Sequence, residues 1–547
     1  MGWNFCCDKI HPKVPMITDI VSKFQSFRNR LFQLFPYRRS AAMDLIDAVS
    51  AETNVNSIIK LSLSDLFRRK YSSITDVLDS LFRSDLKQAP TKEETKQHTL
   101  QVTQLLAEEC YSPQEKGFAL FAIDCTANAR IYAEKVRDRT VVHAPNHVPG
   151  QKPITVGHEY SVLIHLPDNP IDRELHWVVP LSVRRVESHE SGPQVGLAQL
   201  KEIAYATVFK NHFCVNVSDA AYSTRRWIIG VSQWPNVVNI ARMRGNRKVY
   251  RIPPLGSTKT RGRPLLYGEE ILLSDPSQPD LEEITTVTTR KGHVHHVHLA
   301  RWNDVIAQGT ETERAHEYPF DVLRVIVTDK NGKRVYKRPL WVMITGVRRR
   351  EVTSLQAHTS YGRRYDIEHY FRFGKQKLGL VNSQTCETRH EEIWHWIGLL
   401  AYNTLYHARQ LGQAVAYPWE KRKVHIVLNQ RPSQVQRDYR RIIKGIGTPA
   451  VIPKPRGKSP GRQLGAKSGQ RPLQPLIRKS KKDDECGAES SATSTPIKKN
   501  TRSSRKVVSD GHRVSRRTNK VEGEKAPIRY VRMQRVWDKN RPPPMRC

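Results

Sequence analysis

The feature that most limits how this chain can fold is a pair of short, almost unbroken apolar runs, each leading into an aspartate. Phe118-Ala119-Leu120-Phe121-Ala122-Ile123 runs into Asp124, and Phe213-Cys214-Val215-Asn216-Val217 runs through Ser218 into Asp219. Runs this short, with no polar alternation, suit strands buried on both faces. An acid that closes such a strand lies at the carboxyl edge of the sheet, where open α/β folds place their ligands. Either aspartate alone reads as a helix N-cap or a turn residue. As a pair they are more informative.

Between them lie two further strand-like runs, Tyr160 to Leu166 and Trp177 to Val186, and then a helical stretch near Val195 to Phe209. In that helix Val195, Leu197, Leu200, Ile203, Ala204 and Val208 share an apolar face. Three strands, a helix and a fourth strand predict an α/β fold with a mixed sheet, and the order resembles the RNase H-like fold. Upstream, residues 41–115 read as helices. Ser73 to Asp76 fits a capping box, Ile74, Val77, Leu78 and Leu81 fall on one face, and Arg68-Arg69-Lys70 precede them. A helical lid on the core and a small DNA-binding module explain this region equally well, and residues 1–40 are basic without a structural expectation. The expected layout continues with core in 116–250 and a β-rich insertion at 251–320, marked by Pro253-Pro254, Gly256 and the Arg261 to Pro264 turn. Core resumes at 321–415, followed by a connecting segment at 416–450 and a disordered basic tail at 451–547.

Charge narrows the class of partner. Lys and Arg number 90 against 53 Asp and Glu, a formal +37. The stretch 451–547 holds 26 Lys and Arg against 8 Asp and Glu, a net +18 in less than a fifth of the length. Such a block cannot bury enough apolar surface to offset its ordering entropy. An excess of this size calls for a polyanion, with nucleic acid first because phosphate binding releases counterions. No apolar run approaches the roughly 18 residues of a spanning helix, so no membrane partner is expected. Met1-Gly2 with Cys6-Cys7 lacks the Ser or Thr of a lipidation signal. The eight cysteines form no CxxC pair and read as thiols of a reducing compartment, the cytoplasm or nucleoid.

A third carboxylate comes from the helical stretch 359–375. There Tyr361, Arg364, Glu368 and Lys375 follow at intervals of three, four and seven, so all four are expected on one face. A surface salt-bridge face is the plain alternative, but a solvated face seldom also carries five aromatics in fifteen residues. The spacing Tyr-x2-Arg-x3-Glu-x6-Lys resembles the YREK signature of a large group of bacterial DDE transposases, insertion sequence four and its relatives. Leu378-Gly379-Leu380, the apolar helix Ile393 to Gln410 and the run Ile240 to Arg247 are similar too, so that the resemblance covers roughly 117–410. The chain departs from that pattern at Cys125-Thr126, where two hydroxyl residues are commoner, and in the tail past 450.

The resemblance implies a DDE-type transposase, a nuclease and strand transferase on the ends of a mobile DNA element. Three carboxylates at one sheet edge can hold two divalent ions about 4 Å apart, and hard oxygens suit Mg²⁺ or Mn²⁺. Asp124 is expected as the bridging ligand with Asp219 and Glu368 on its flanks. Arg364 and Lys375 would hold phosphates and Tyr361 the backbone beside a displaced base. Arg242, Arg244 and Arg247 are expected in a DNA groove. Trp302 is the expected stacking partner for a flipped base, ahead of Trp227 and Trp234. The partners implied are double-stranded DNA, as terminal inverted repeats and target, and a second copy of the chain to pair two ends. Two readings compete: a catalytically silent DNA-binding derivative, and an RNase H-like nuclease that cuts without joining. The His293 to His298 run reads as a half-exposed strand rather than a metal site.

Overall fold

The structure is a computed structural model that describes residues 17–55, 57–110, 117–144, 152–254, 265–288, 292–414, 429–455, 463–466 and 469–478. The Arg261 to Pro264 turn, residues 416–428 of the connecting segment and residues 456–462, 467–468 and 479–547 of the expected tail lie outside the described residues. Four α-helices come first: α1 (Ile17–Leu34), α2 (Arg39–Ala51), α3 (Ser72–Ser80) and α4 (Lys92–Cys110). Strands β1 (Ala119–Ala129), β2 (Thr140–His143) and β3 (Ile154–His165) follow, then α5 (Pro170–Glu174), β4 (Val179–Val186), α6 (Gly192–Ala206) and β5 (Cys214–Ser218). Helix α7 (Arg225–Ser232) leads to β6 (Val237–Met243), β7 (Lys248–Arg251), β8 (Glu270–Leu272), β9 (Leu281–Thr288), β10 (Val294–Ile306), β11 (Phe320–Asp329) and β12 (Leu340–Thr345). The remaining helices are α8 (Ser354–Gly362), α9 (Asp366–Lys377), α10 (Thr388–His407), α11 (Leu411–Ala414) and α12 (Pro432–Ile446).

All twelve strands join one mixed sheet in the order β2-β3-β1-β5-β6-β12-β11-β10-β7-β8, with β4 also on β3 and β9 on β10. The β1–β5 and β5–β6 pairs are parallel, and β3 runs antiparallel to β1. The stretch expected as a β-rich insertion is hydrogen-bonded into this same sheet: its strand β10 pairs with β9 and with β11 of the resumed core, and β11 leads through β12 to β6. A sheet edge at β6 would expose unpaired backbone groups, and these strands cover it. The His293 to His298 run enters β10, with Val297 buried and His295, His296 and His298 half-buried.

Helix α10 is buried almost throughout from Ile393 to Tyr406 and packs against β4, α2 and α3. A helix apolar on every side needs such enclosure. Helix α2 is buried from Ala41 to Ala51, and the N-terminal helices share one hydrophobic core with the sheet. Ile74, Val77, Leu78 and Leu81 are buried as their spacing predicts, but Tyr71 rather than Ser73 precedes α3, with no side-chain cap. Arg68 and Arg69 are bound to the buried Asp44 at 2.7 and 3.1 Å and to the carbonyls of Ala450 and Val451. Their charge is therefore engaged within the fold.

Residues 451–455 and 469–478, expected as part of the tail, are described. The Ile477 N–H donates to the Arg139 carbonyl at 2.9 Å, and Ile477 bridges Thr140 on β2. No described helix is long and apolar enough to cross a membrane.

Candidate active site

Strand β1 is longer than its apolar run. Its parallel pairing with β5 stops at Ala122↔Val217, while its antiparallel pairing with β3 continues from Phe121↔His165 to Ala129↔Gly157. Asp124 is thus internal to β1 rather than its last residue, and it sits just beyond the last β5 contact. The apolar run ends at Ile123 because the strand loses its neighbour on that side, not because the strand ends. Asp219 directly follows β5 and begins a 3-10 turn, Ala220–Tyr222, where its Oδ1 accepts from the Ala221 N–H at 2.8 Å. The N-cap role open to any such aspartate is therefore occupied by one of its oxygens.

The helix expected over 359–375 is broken. α8 ends at Gly362, a 3-10 turn spans Arg363–Tyr365, and α9 starts at Asp366. The break does not scatter the side chains. Tyr361, Arg364 and Glu368, one from each piece, line a single cavity of about 910 Å³ with Asp124 and Asp219. Lys375, about two turns further along α9, does not line it. It lies half-buried near His395 of α10, and burial lowers its pKa.

Arg364 ties the cavity together. Its Nη1 lies 3.2 Å from Asp124 Oδ2 and its Nη2 lies 3.3 Å from Glu368 Oε1. Although burial opposes its charge, Tyr361, Asp124, Glu368 and Asp219 together hold the guanidinium pKa above its ordinary value. Burial pushes the Asp124 carboxyl up to about 6, and the charge of Asp219 adds to this, against the Cys125 N–H and Arg364. The Cys125 N–H donates to Asp124 Oδ1 at 2.8 Å. Burial also raises the Tyr361 phenol, with Arg364 and Arg242 opposing. Cys125 itself is a packed thiol 3.4 Å from the Tyr222 hydroxyl, and burial pushes its pKa far up.

Arg242 and Arg244, on and just after β6, are exposed and line the cavity with Asn246. Arg247 does not line it: its Nη1 donates to the Ser223 carbonyl at 2.6 Å and it faces a neighbouring cavity. Arg338 and Trp341 line the acid cavity without having been expected there. The approach of Arg338 to β6 depends on β12 pairing with β6, which nothing local in the sequence announces.

The expectation for Trp302 is corrected. Trp302 is 1% exposed, its Nε1 donates to the Ser277 carbonyl at 3.0 Å, and its ring lies 5.4 Å from that of Trp341. It is a core residue of the cluster between β10, β11 and β12, so no base can reach it. Trp227 and Trp234 are buried as well.

Three carboxylates with hard oxygen donors are the donor chemistry that Mg²⁺ or Mn²⁺ takes. Burial, and after it the charge of Asp219, penalise the Asp124 carboxylate; a cation relieves both, and the set fits on that ground. Among the described residues no three His, Cys, Asp or Glu are close enough to hold an ion as they stand. Arg364 occupies the space between two of the three carboxylates.

The twelve-stranded mixed sheet thus carries Asp124 and Asp219 where its parallel β1–β5 pairing ends, facing a cavity also lined by arginines. The family model described as "DDE superfamily endonuclease" matches residues 30–304, and the chain belongs to that family. The matched span includes Asp124 and Asp219 and ends before Glu368. No curated protein matches the chain. The family acts on DNA, generally with divalent metal ions.

Proposed function

We propose that the chain is a DDE transposase of the YREK-bearing group, which cuts the ends of a mobile element and joins them to target DNA. The observation that carries this reading is the meeting of Asp124, Asp219 and Glu368, scattered over the sequence, on the wall of one cavity with Tyr361 and Arg364. The order β4-β3-β1-β5-β6, with β3 antiparallel to β1, supports an RNase H-like core for 116–250 and 321–415. On this reading 251–320 extends the core's sheet, and the helices of 41–115 cover the core.

Divalent ions held by Asp124, Asp219 and Glu368 would activate the attacking oxygen and stabilise the leaving one. The protein's own groups do the rest. Arg242, Arg244 and Arg338 line the cavity with no carboxylate in ion-pair distance among the described residues, and are placed to bind the DNA backbone. Arg364 holds Asp124 and Glu368 in place, and its fork geometry suits a phosphate that replaces either carboxylate. Pairing two element ends calls for a homodimer, working in the cytoplasm on nucleoid DNA.

The test uses duplexes bearing the DNA that flanks this reading frame, with Mg²⁺ or Mn²⁺, and follows both nicked and joined products. Asp124→Asn, Asp219→Asn and Glu368→Gln should each lower cleavage at least about a hundredfold in variants that remain folded. Cleavage at the normal rate by folded variants would reject the assignment. Cutting without joining would leave a nuclease, and end binding without cutting would leave a silent derivative.

A further inference from the structure

A second cavity, of about 750 Å³, opens on the far side of the turn between β6 and β7. That turn is closed by the Arg247 N–H to the Arg244 carbonyl at 3.1 Å. Arg244 and Asn246 line the acid cavity, while Arg247 lines the second one. Arg225, on the first turn of α7, lines the second cavity too, and its Nε donates to the Gln308 carbonyl at 2.7 Å. The two cavities therefore share one four-residue wall with an arginine on each face.

The charges in this cavity are unevenly matched. Arg226 has Glu313 at 3.6 Å, and Lys248 has Glu270 at 2.6 Å. Arg225 and Arg247 bond only carbonyls, and neither has a carboxylate in ion-pair distance among the described residues. Arg247 is half-buried, and burial, then Arg244 and Arg225, depress its pKa. Half-buried cations that repel one another do not stabilise a fold. They are suited to an anion that arrives later. Thr224 makes no side-chain cap on α7, so the first-turn N–H groups beside Arg225 add to the positive field. No ring is offered to a free nucleotide, because Trp227 is buried with its Nε1 donating to the Pro193 carbonyl at 2.8 Å.

We propose that this cavity is a second DNA-backbone site, in which Arg225 and Arg247 grip phosphodiesters of the duplex whose scissile bond lies in the acid cavity. The 244–247 turn then separates two positions along one bound duplex. The inference rests on the DNA-cleaving reading above, and it adds a contact that fixes how the duplex lies across the acids.

The test measures binding of the full chain to a fluorescein-labelled 30-base-pair duplex in EDTA, by anisotropy, over a series of KCl concentrations. Each lost phosphate contact should reduce the slope of log affinity against log salt by roughly 0.9. Arg225→Gln should lower the slope by about that amount, and Arg225→Gln with Arg247→Gln by about 1.8. The charge-keeping pair Arg225→Lys with Arg247→Lys should retain the wild-type slope, which a merely structural role would not. Arg314→Gln, at an exposed arginine paired with Glu317, should leave it unchanged. An unchanged slope in folded Arg225→Gln, or no rescue by the lysine pair, would overturn the inference. Absence of any binding by the wild-type chain would instead defeat the DNA-cleaving reading. Neither outcome depends on cleavage.

Discussion

Arg364→Gln isolates the electrostatics of the acid cavity. Its guanidinium lies 3.2 Å from Asp124, and both side chains are about one-fifth exposed. At that distance an effective dielectric of about 20 gives roughly 5 kcal/mol of gross attraction, against which desolvation must be set. The contact to Glu368 contributes little, because that side chain is 43% exposed. Removing the guanidinium should therefore cost about 2–3 kcal/mol in EDTA at pH 8. The pH is chosen above the raised Asp124 value of about 6, so that the carboxylate cannot escape easily by protonation. For a unit of this size that is a fall in Tm of roughly 2–3 °C. Without Arg364, the three carboxylates face a cation with no internal competitor. Mg²⁺ at about a hundred times its Kd would return roughly 2.7 kcal/mol, so the variant should gain about 2 °C more from Mg²⁺ than the wild type does. Differential scanning fluorimetry in EDTA, in Mg²⁺ and in KCl of matched ionic strength reads this directly. If the variant gains no more than the wild type, or KCl matches Mg²⁺, the three carboxylates do not act as one cation site. Adding Asp124→Asn should remove the extra gain.

Other expectations concern the fold that carries the site. Asp321 is fully buried and accepts from Arg301 at 2.6 Å, from Arg349 at 3.1 Å and from the Asp304 N–H at 3.0 Å. Asp321→Asn should cost about 3–5 kcal/mol in urea unfolding, because it strands buried arginine charge. Loss below about 1 kcal/mol would contradict that account. Trp302→Ala should destabilise by about 3–5 kcal/mol while leaving the salt slope of DNA binding unchanged, and a lower slope in the folded variant would return Trp302 to the interface. Burial holds His165 and His407 down to about 3 and His395 to about 4, from an ordinary 6.5. All three are neutral in the fold, so their stabilisation is complete above 6.5 and declines as pH falls toward 4. The decline should reach about 1.4 kcal/mol per pH unit for each histidine, and urea midpoints constant from pH 7 to 5 would contradict it.

Much of the sheet was legible because buried strands announce themselves locally. The runs before Asp124 and Asp219, and those at Tyr160 and Trp177, became β1, β5, β3 and β4. Helical spacing likewise placed Tyr361, Arg364 and Glu368 within reach of one another, even though a 3-10 turn interrupts the helix. Lys375 shows where spacing stops being informative. Seven residues along, its surroundings are set by α10, and the shared face no longer faces the cavity.

Trp302 and Arg338 escaped sequence reasoning for a related reason. Whether a tryptophan is core or contact depends on which strand lies across from it, and β10 meets β11 and β12 only through long-range pairing. Arg338 joins the cavity because β12 pairs with β6 across nearly a hundred residues of chain.

The sequence by itself determined which segments bury their backbone, where acids interrupt them, and that a large positive excess must be met by a polyanion. These follow from short-range patterns of apolar and charged side chains. Tertiary structure alone decided that Asp124 lies mid-strand beside the end of β5, that Arg364 spans two carboxylates, and that Arg247 turns away from the acids. Those outcomes depend on strand order and register, which are fixed by contacts between residues far apart in the chain.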